Sequence, residues 1–256
     1  MSSTRPTLDE LRAVCQPEST MSRRNAEHWL ARSVLRKVSL PITGLLVRTP
    51  VTANQLTGLM IVVGLVAAVP AALAGWWTAV LAWVLVLVYF ILDLCDGEVA
   101  RWRRQTSVTG VYLDRVGHYF VEAALLSAYG IRAGGQQWGM WSTLGVLTGL
   151  CAVLVKSETD LVDVSRARKG IDVLADEEVE LRSAALGRMR KVASVFKVHQ
   201  LTGALESSFL LLVAASIDAV AGGLTATKIF AGAMLAIAAT MVVLHLASIL
   251  LSRRLS

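Results

Sequence analysis

The sequence predicts an all-α, polytopic membrane protein with six transmembrane helices. Hydrophobic residues make up 55% of the 256-residue chain and charged residues only 17%, whereas a soluble domain carries about 25% charged residues. Six apolar stretches are each about long enough to cross the hydrocarbon core of a bilayer as a helix. The basic residues are concentrated in alternate connecting segments, a pattern typical of multi-pass proteins.

The predicted spans follow one another from residue 53 almost to the end of the sequence. The third is the least apolar, because it contains several ionisable side chains. The segments are 53–74, 76–96, 114–133, 138–157, 200–220 and 227–251.

The positions of the 25 Lys and Arg residues predict the orientation. All except Arg132 and Lys228 fall on one side of the predicted spans, and the positive-inside rule assigns that side to the cytoplasm. We therefore expect both termini to be cytoplasmic, in an inner or plasma membrane. The formal net charge of +6 is explained by this membrane face, so no nucleic acid is expected as a partner.

Two cytoplasmic elements are predicted outside the spans. Residues 1–50 form an N-terminal segment without a signal peptide, and the amphipathic stretch 25–47 favours a helix in the membrane interface, with an ordinary solvated helix as the alternative. Pro41 is expected to break that helix. Residues 51–256 form the transmembrane domain, with a charged, helical cytoplasmic loop at about 158–198.

Acidic residues stand where the second predicted span ends and the third begins. Because the second span runs toward the cytoplasm and the third runs back, both ends lie at the same depth. Asp93, Asp96, Gly97 and Ala100 are spaced by three, four and seven residues and share one helical face. Gly110, Asp114 and His118 follow at intervals of four, on one face of the next helix if that helix starts early enough.

Three carboxylates at this depth repel one another and are costly to desolvate. Divalent cations compensate them, and oxygen ligands suit Mg²⁺ or Mn²⁺. Two such ions would leave an excess positive charge that attracts a pyrophosphate. The alternative is a structural salt-bridge network with Arg101, Arg103 and Arg115, and the spacing leaves both interpretations open.

The segment DLCDGEVARWRRQTSVTGVYLDRVGH resembles the signature of the CDP-alcohol phosphotransferase family, D-x2-D-G-x2-A-R-x8-G-x3-D-x3-D. Seven of the eight fixed positions match, and every gap has the right length. The preceding TPVTANQLTG is similar to the family's Pro-Asn-x-x-Thr element, with Ala53 in place of proline.

The resemblance implies an integral membrane transferase that moves a phosphoalcohol, often phosphatidyl, from a CDP-alcohol such as CDP-diacylglycerol to an alcohol acceptor and releases CMP. It implies two Mg²⁺ or Mn²⁺ ions, contact with membrane lipid and a homodimer. The metal ligands it implies are Asp93, Asp96 and Asp114, and the nucleotide-binding residues are Asn54, Thr57, Gly97, Ala100, Arg101 and Gly110.

The last motif position, an aspartate in the family, is His118 here. Three hypotheses follow: His118 is the base that takes the acceptor proton, it is a metal ligand or shapes the site beside another base, or the chain is a degenerate member that binds CDP-lipid without turnover. Glu122, four residues further on, could orient the imidazole or pair with Arg115 or Arg101.

The acceptor is not readable from the sequence. Lys156 and Arg115 are candidates for binding it, although Lys156 also fits an ordinary positive-inside anchor. The segment KSETDLVDVSRARKG after the fourth span lacks the Arg-rich element of the inositol-phosphate and glycerol-phosphate branches, which suggests a less common polyol or amino alcohol. A non-catalytic scaffold and a small transporter using the acids as an ion path are the competing classes of function.

Overall fold

The computed structural model describes residues 7–17, 34–171 and 201–251. Within these ranges the chain forms eight helices and no strand, which confirms the all-α prediction. The helices are α1 (Leu8–Cys15), α2 (Arg36–Leu46), α3 (Ala53–Ala72), α4 (Trp76–Arg103), α5 (Val108–Ala133), α6 (Met140–Arg168), α7 (Ala204–Ala221) and α8 (Thr225–Leu250).

Five of these helices, α3, α4, α6, α7 and α8, are long and apolar enough to cross a membrane. The chain is therefore a polytopic membrane protein. Helix α5 contains 26 residues, about 39 Å of helix, but its ionisable side chains lower its hydropathy. The sixth span stays a prediction.

Three helices extend beyond the spans predicted from the sequence, and each extension has the same cause. Helix α4 continues seven residues past the predicted end at 96, α5 begins six residues before the predicted start at 114, and α6 continues eleven residues past 157. Hydropathy marks where a chain leaves the hydrocarbon, whereas a helix ends where its backbone hydrogen bonds end. The first part of the predicted loop 158–198 is thus helical as far as Arg168, and its residues from 172 onward lie outside the described residues.

The prediction that Pro41 breaks the N-terminal helix was wrong, because α2 continues through Pro41. A proline inside a helix removes one backbone hydrogen bond and costs about 3 kcal/mol. Ser39 and Thr43, on either side of Pro41, both donate hydrogen bonds to Glu98. These tertiary contacts hold both halves of α2 in place.

The chain divides into two compact units. The first comprises Met1–Pro70 with Val80–Val121, and the second comprises Ala71–Ala79 with Glu122–Ser256. The first unit therefore contains α1, α2, nearly all of α3, most of α4 and the first half of α5.

Close helix packing in the first unit depends on glycines. A Cβ atom on Gly64 of α3 would lie 2.5 Å from the side chain of Val121, and one on Gly117 of α5 would lie 2.6 Å from Ile61. Both distances are shorter than van der Waals contact, so only glycine allows α3 and α5 to approach this closely.

Helix α5 packs just as tightly against α6 in the second unit, where a Cβ atom on Gly130 would lie 2.5 Å from the Cα atom of Gly145. Asp218 caps α8 by accepting hydrogen bonds from the backbone N–H groups of Ala226 and Thr227, at 2.7 and 2.9 Å. The buried guanidinium of Arg132 binds the backbone carbonyl groups of Leu73 and Gly75.

Candidate active site

The early start of α5 places Gly110, Asp114 and His118 on a single helix at intervals of four residues, as the sequence required for a common face. Helix α4 likewise extends beyond Asp96 and carries the whole first half of the motif. The short connection after Arg103 turns at Arg104, which adopts φ +54°. Two consecutive helices of the first unit thus present the motif residues to each other.

Asp93, Asp114 and His118 converge. One possible ligand atom from each lies within 4.8 Å of the other two. The His118 Nε2 atom is 3.2 Å from Asp93 Oδ1 and 3.5 Å from Asp114 Oδ1. The side chains of Asp93 and His118 are 21% and 24% exposed, and that of Asp114 is 43% exposed, so the group is half-buried and open to a ligand.

A buried phenol that the motif did not predict completes this group. The Tyr89 hydroxyl lies 2.5 Å from Nδ1 of His118, and Tyr89 itself is fully buried. Both ring nitrogens of His118 therefore face fixed partners. The available signal was spacing, because Tyr89 lies four residues before Asp93 on the same face of α4.

Asp96 is placed differently from the other two aspartates. Its carboxylate Oδ2 accepts a hydrogen bond from the Thr57 hydroxyl at 2.5 Å, and the residue is buried at 8% exposure. Asp96 does not belong to the group of three, but it is close enough to Asp93 and Asp114 to experience their charges. The hydrogen bond from Thr57 thus connects α3 to α4 through Asp96, one of the three predicted metal ligands.

Four of the six predicted nucleotide-binding residues form two pairs. A Cβ atom on Gly110 would lie 3.0 Å from Asn54 Oδ1, and one on Gly97 would lie 3.1 Å from Arg101 Nη1. Each glycine therefore leaves room for a polar side chain beside it. Ala100 is half-buried on the same helix as Gly97.

The start of α3, where the family has proline, is held by other means. The Thr52 hydroxyl accepts a hydrogen bond from the backbone N–H of Gln55, and the Gln55 side chain accepts one from the backbone N–H of Thr52. This reciprocal capping box begins the helix at Ala53 without the proline. The replacement therefore leaves Asn54 and Thr57 in the first turns of α3.

Two arginines of the suggested salt-bridge network bind backbone carbonyl groups. Arg101 Nε donates to the carbonyl oxygen of Cys15 at 2.7 Å. Arg103 donates to the carbonyl oxygens of Leu46, Thr49 and Val51, at 3.2, 2.6 and 2.5 Å. Arg103 therefore fixes the connection between α2 and α3.

The candidates for binding the acceptor are placed as follows. Lys156 donates to Glu122 Oε1 at 2.8 Å, and both residues belong to the second unit. Glu122 thus pairs with Lys156, which was not among its predicted partners His118, Arg115 and Arg101. Arg115 is exposed on α5, and its charge acts on the neighbouring Asp114.

The donor set fits a divalent cation. Two carboxylate oxygens and an imidazole nitrogen within 4.8 Å of one another are ligands that Mn²⁺ accepts, and carboxylates also suit Mg²⁺. The nearby buried Asp96 adds a third carboxylate, which increases the local negative charge. A site of this composition favours a hard cation accompanied by phosphate oxygens.

The fold and the site together define an all-α integral membrane protein with a convergent acidic site suited to a divalent cation. A sequence model of the CDP-alcohol phosphatidyltransferase family matches residues 50–254. The chain belongs to this family, which confirms the resemblance drawn from the motif.

The chain is also similar to proteins named bifunctional IPC transferase and DIPP synthase. It is 37% identical to the one from Aquifex aeolicus over 100 residues, which are 39% of this chain and 22% of that protein. It is 27% identical to the one from Thermococcus kodakarensis over 187 residues, which are 72% of this chain and 40% of that protein. The chain therefore spans less than half the length of these relatives.

Proposed function

We propose that this protein transfers a phosphoalcohol group from a CDP-alcohol to the hydroxyl of an acceptor alcohol and releases CMP. The observation that carries this proposal is the convergence of Asp93, Asp114 and His118 within 4.8 Å, in a chain that belongs to the family. CDP-diacylglycerol is the proposed donor, because the motif lies on helices that a lipid can approach from the bilayer. The proposed acceptor is a polyol or an amino alcohol.

Asp93, Asp96 and Asp114 would hold Mg²⁺ or Mn²⁺, as a pair of ions according to the family resemblance. Such ions, when bound, neutralise the diphosphate and stabilise the charge that develops on the departing CMP. The Thr57 hydroxyl holds Asp96 in place by its hydrogen bond.

The remaining positions of the family motif are assigned to the nucleotide by size and charge. Gly97 and Gly110 leave space beside Arg101 and Asn54, so the backbone of both motif helices can approach a bulky ligand. The guanidinium group is suited to bind phosphate oxygens. We assign the same lining role to Ala100 and Thr57.

The reaction forms one bond to phosphorus and breaks another. The acceptor oxygen attacks the phosphorus distal to cytidine, and the bond from that phosphorus to the bridging oxygen breaks. The bridging oxygen leaves with its electron pair as part of CMP. The acceptor proton passes to His118 Nε2, because the unprotonated nitrogen of a neutral imidazole carries a lone pair that can accept a proton.

The Tyr89 hydroxyl decides which tautomer of His118 can play this role. If the hydroxyl donates to Nδ1, then Nε2 carries a hydrogen and points at Asp93 and Asp114. If Nδ1–H donates to the hydroxyl oxygen, then Nε2 has a lone pair available for a proton or a cation. The distance of 2.5 Å serves either direction, and the second arrangement is the active one in this proposal.

The orientation and layout follow the distribution of basic residues. We propose that the motif lies at the cytoplasmic face, with both termini in the cytoplasm and residues 1–50 as a cytoplasmic segment before the transmembrane domain. Lys156 and Arg115 are the proposed contacts of the acceptor. Lys156 would have to leave Glu122, its partner at 2.8 Å, to bind an anionic acceptor.

The test is a CMP-release assay with the purified chain, CDP-diacylglycerol, Mn²⁺ or Mg²⁺ and a panel of alcohols. Asp96→Asn should abolish release, whereas Asp163→Asn, the same change on α6, should not. Release at the parent rate by Asp96→Asn would show that the metal-site assignment is wrong.

Variants of His118 separate its hypotheses. If His118 is the base, His118→Ala should lose CMP release but keep the parent affinity for Mn²⁺ and CDP. If it is a ligand, the same variant should lose Mn²⁺ affinity, and His118→Asp should restore activity with Mg²⁺. A parent chain that binds CDP and Mn²⁺ but releases no CMP with any alcohol would support the scaffold alternative.

A further inference from the structure

A fully buried carboxylate on α4 lies outside the acidic cluster. Glu98 is 0% exposed and stands two residues beyond Asp96 on the motif helix. Its two oxygens accept hydrogen bonds from Gln16 Nε2 at 2.7 Å, the Ser39 hydroxyl at 2.8 Å and the Thr43 hydroxyl at 2.7 Å. Three donors compensate the desolvation of the charge, and all three come from the N-terminal segment.

A second connection runs between the same elements in the opposite direction. Arg101 Nε donates to the carbonyl oxygen of Cys15 at 2.7 Å, at the last residue of α1. The Cys15 thiol in turn donates a hydrogen bond of 3.4 Å to the backbone carbonyl oxygen of Glu98. The carbonyl group that holds Arg101 is therefore itself held by the region around Glu98.

Apolar packing supports these polar contacts. Leu11 and Cys15 of α1 and Leu40 of α2 form a buried cluster, and Trp102 of α4 packs against it. Trp102 follows Arg101 directly and Glu98 precedes it, so α1 contacts α4 on both sides of Arg101 in the sequence.

From these contacts we propose that the segment upstream of the family-matched region, residues 7–17 and 34–46, orients Arg101 for the diphosphate of the nucleotide, with Glu98 as the positioning residue. This inference rests on the proposed function. An arginine on a helix surface samples many rotamers. Here Nε is engaged by Cys15 and the terminal nitrogens lie over Gly97, so the side chain is ordered before a ligand arrives.

The proposal predicts a separation of two affinities. The Glu98 carboxylate binds Gln16, Ser39 and Thr43 and lies outside the Asp93–Asp114–His118 group. In this proposal it acts on the nucleotide only through Arg101. Its loss should therefore weaken CDP binding and leave Mn²⁺ binding unchanged. A merely structural role would weaken both.

The experiment measures CDP affinity by calorimetry with Mn²⁺ present and Mn²⁺ affinity by electron paramagnetic resonance, on the full chain in detergent. The variants are Glu98→Gln, Arg101→Lys and the double variant, with the exposed Asp9→Asn of α1 as control. Glu98→Gln keeps the shape but removes the charge and one acceptor. Because a hydrogen bond to a charged group is worth about tenfold or more in an equilibrium constant, we expect CDP affinity to fall about tenfold.

Arg101→Lys removes the Nε–H that binds Cys15, and lysine lacks the planar donor fork, so it should weaken CDP binding at least as much. The double variant should be no worse than Arg101→Lys alone, because both changes remove the same arrangement. Gln16→Met removes one donor to Glu98 with little change of shape, and it should give a smaller loss of CDP affinity with unchanged Mn²⁺ affinity.

Three results would overturn the positioning role: parent CDP affinity in Glu98→Gln, losses that multiply in the double variant, or an equal loss of Mn²⁺ affinity in Gln16→Met. A parent chain that does not bind CDP at all would instead refute the proposed function and, with it, the assignment of Arg101 to a nucleotide. The two failures are distinguished by the parent measurement alone.

Discussion

Replacing Tyr89 with phenylalanine removes a single oxygen atom from the candidate site. That oxygen lies 2.5 Å from Nδ1 of His118, and the ring that carries it is fully buried. The variant keeps the ring and its packing, so the expected change is the loss of the hydrogen bond that orients the imidazole. We expect Tyr89→Phe to fold but to release CMP much more slowly.

The Tyr89–His118 hydrogen bond is expected to contribute both to stability and to activity, and the two contributions differ in size. As a neutral contact it contributes about 0.5–1.5 kcal/mol to stability. As the partner of a histidine that acts in a reaction or binds a metal, its removal typically costs about 10–100-fold in activity or metal affinity, which corresponds to about 1.4–2.7 kcal/mol. The loss of activity should therefore exceed what the loss of stability explains.

The chain offers a matched control. Tyr129 of α5 is also buried, and its hydroxyl makes a hydrogen bond of 3.1 Å to the Ser207 hydroxyl. Tyr129→Phe should lose a similar amount of stability in thermal unfolding but retain CMP release. Equal activity losses in the two variants, or a Tyr89→Phe variant with parent activity, would refute the assignment of Tyr89 to the site.

Three further predictions concern packing, the carboxylate that α3 supports, and a thiol. Gly64→Ala should lower the free energy of unfolding by about 1–3 kcal/mol, because its Cβ would lie 2.5 Å from a side chain of α5. Gly58→Ala on the same helix is the control: its Cβ meets nothing within 4 Å, so the variant should be neutral or stabilising. Equal melting temperatures of the two variants would contradict this packing. Thr57→Val removes the 2.5 Å hydrogen bond to Asp96 and should weaken Mn²⁺ binding measured by electron paramagnetic resonance, while an unchanged affinity would separate Asp96 from the metal. Burial raises the pKa of the Cys15 thiol from 9.0 to about 11, so the reactive thiolate is scarce at pH 8. An alkylating reagent at pH 8 should therefore leave Cys15 unmodified, as detected by mass spectrometry. Rapid labelling of Cys15 would contradict its burial at the end of α1.

The same pKa shift has a consequence for stability. Because the folded state holds the Cys15 thiol protonated, its contribution to stability is fully present below about pH 9. It is lost as the pH rises from 9.0 toward 11, since the unfolded chain then releases the proton first.

Sequence alone determined the helical class, the approximate position of most spans and the composition of the motif. These properties are local: apolar length reports burial in hydrocarbon, and spacings of three and four residues report a common helical face. The convergence of Asp93 with Asp114 and His118 was predictable for the same reason, since a short connection joins two antiparallel helices whose faces were already defined.

Only the tertiary structure decided which side chains form hydrogen bonds to the motif residues. The Tyr89–His118 contact, the separate position of Asp96 beside Thr57, and the hold of Cys15 on Arg101 join residues 29 to 86 positions apart. The continuation of α2 through Pro41 likewise depends on the tertiary hydrogen bonds that Ser39 and Thr43 donate to Glu98. Periodicity and hydropathy carry no information about such distant partners, because a hydrogen bond between two elements depends on how their backbones pack and not on the local pattern of either one.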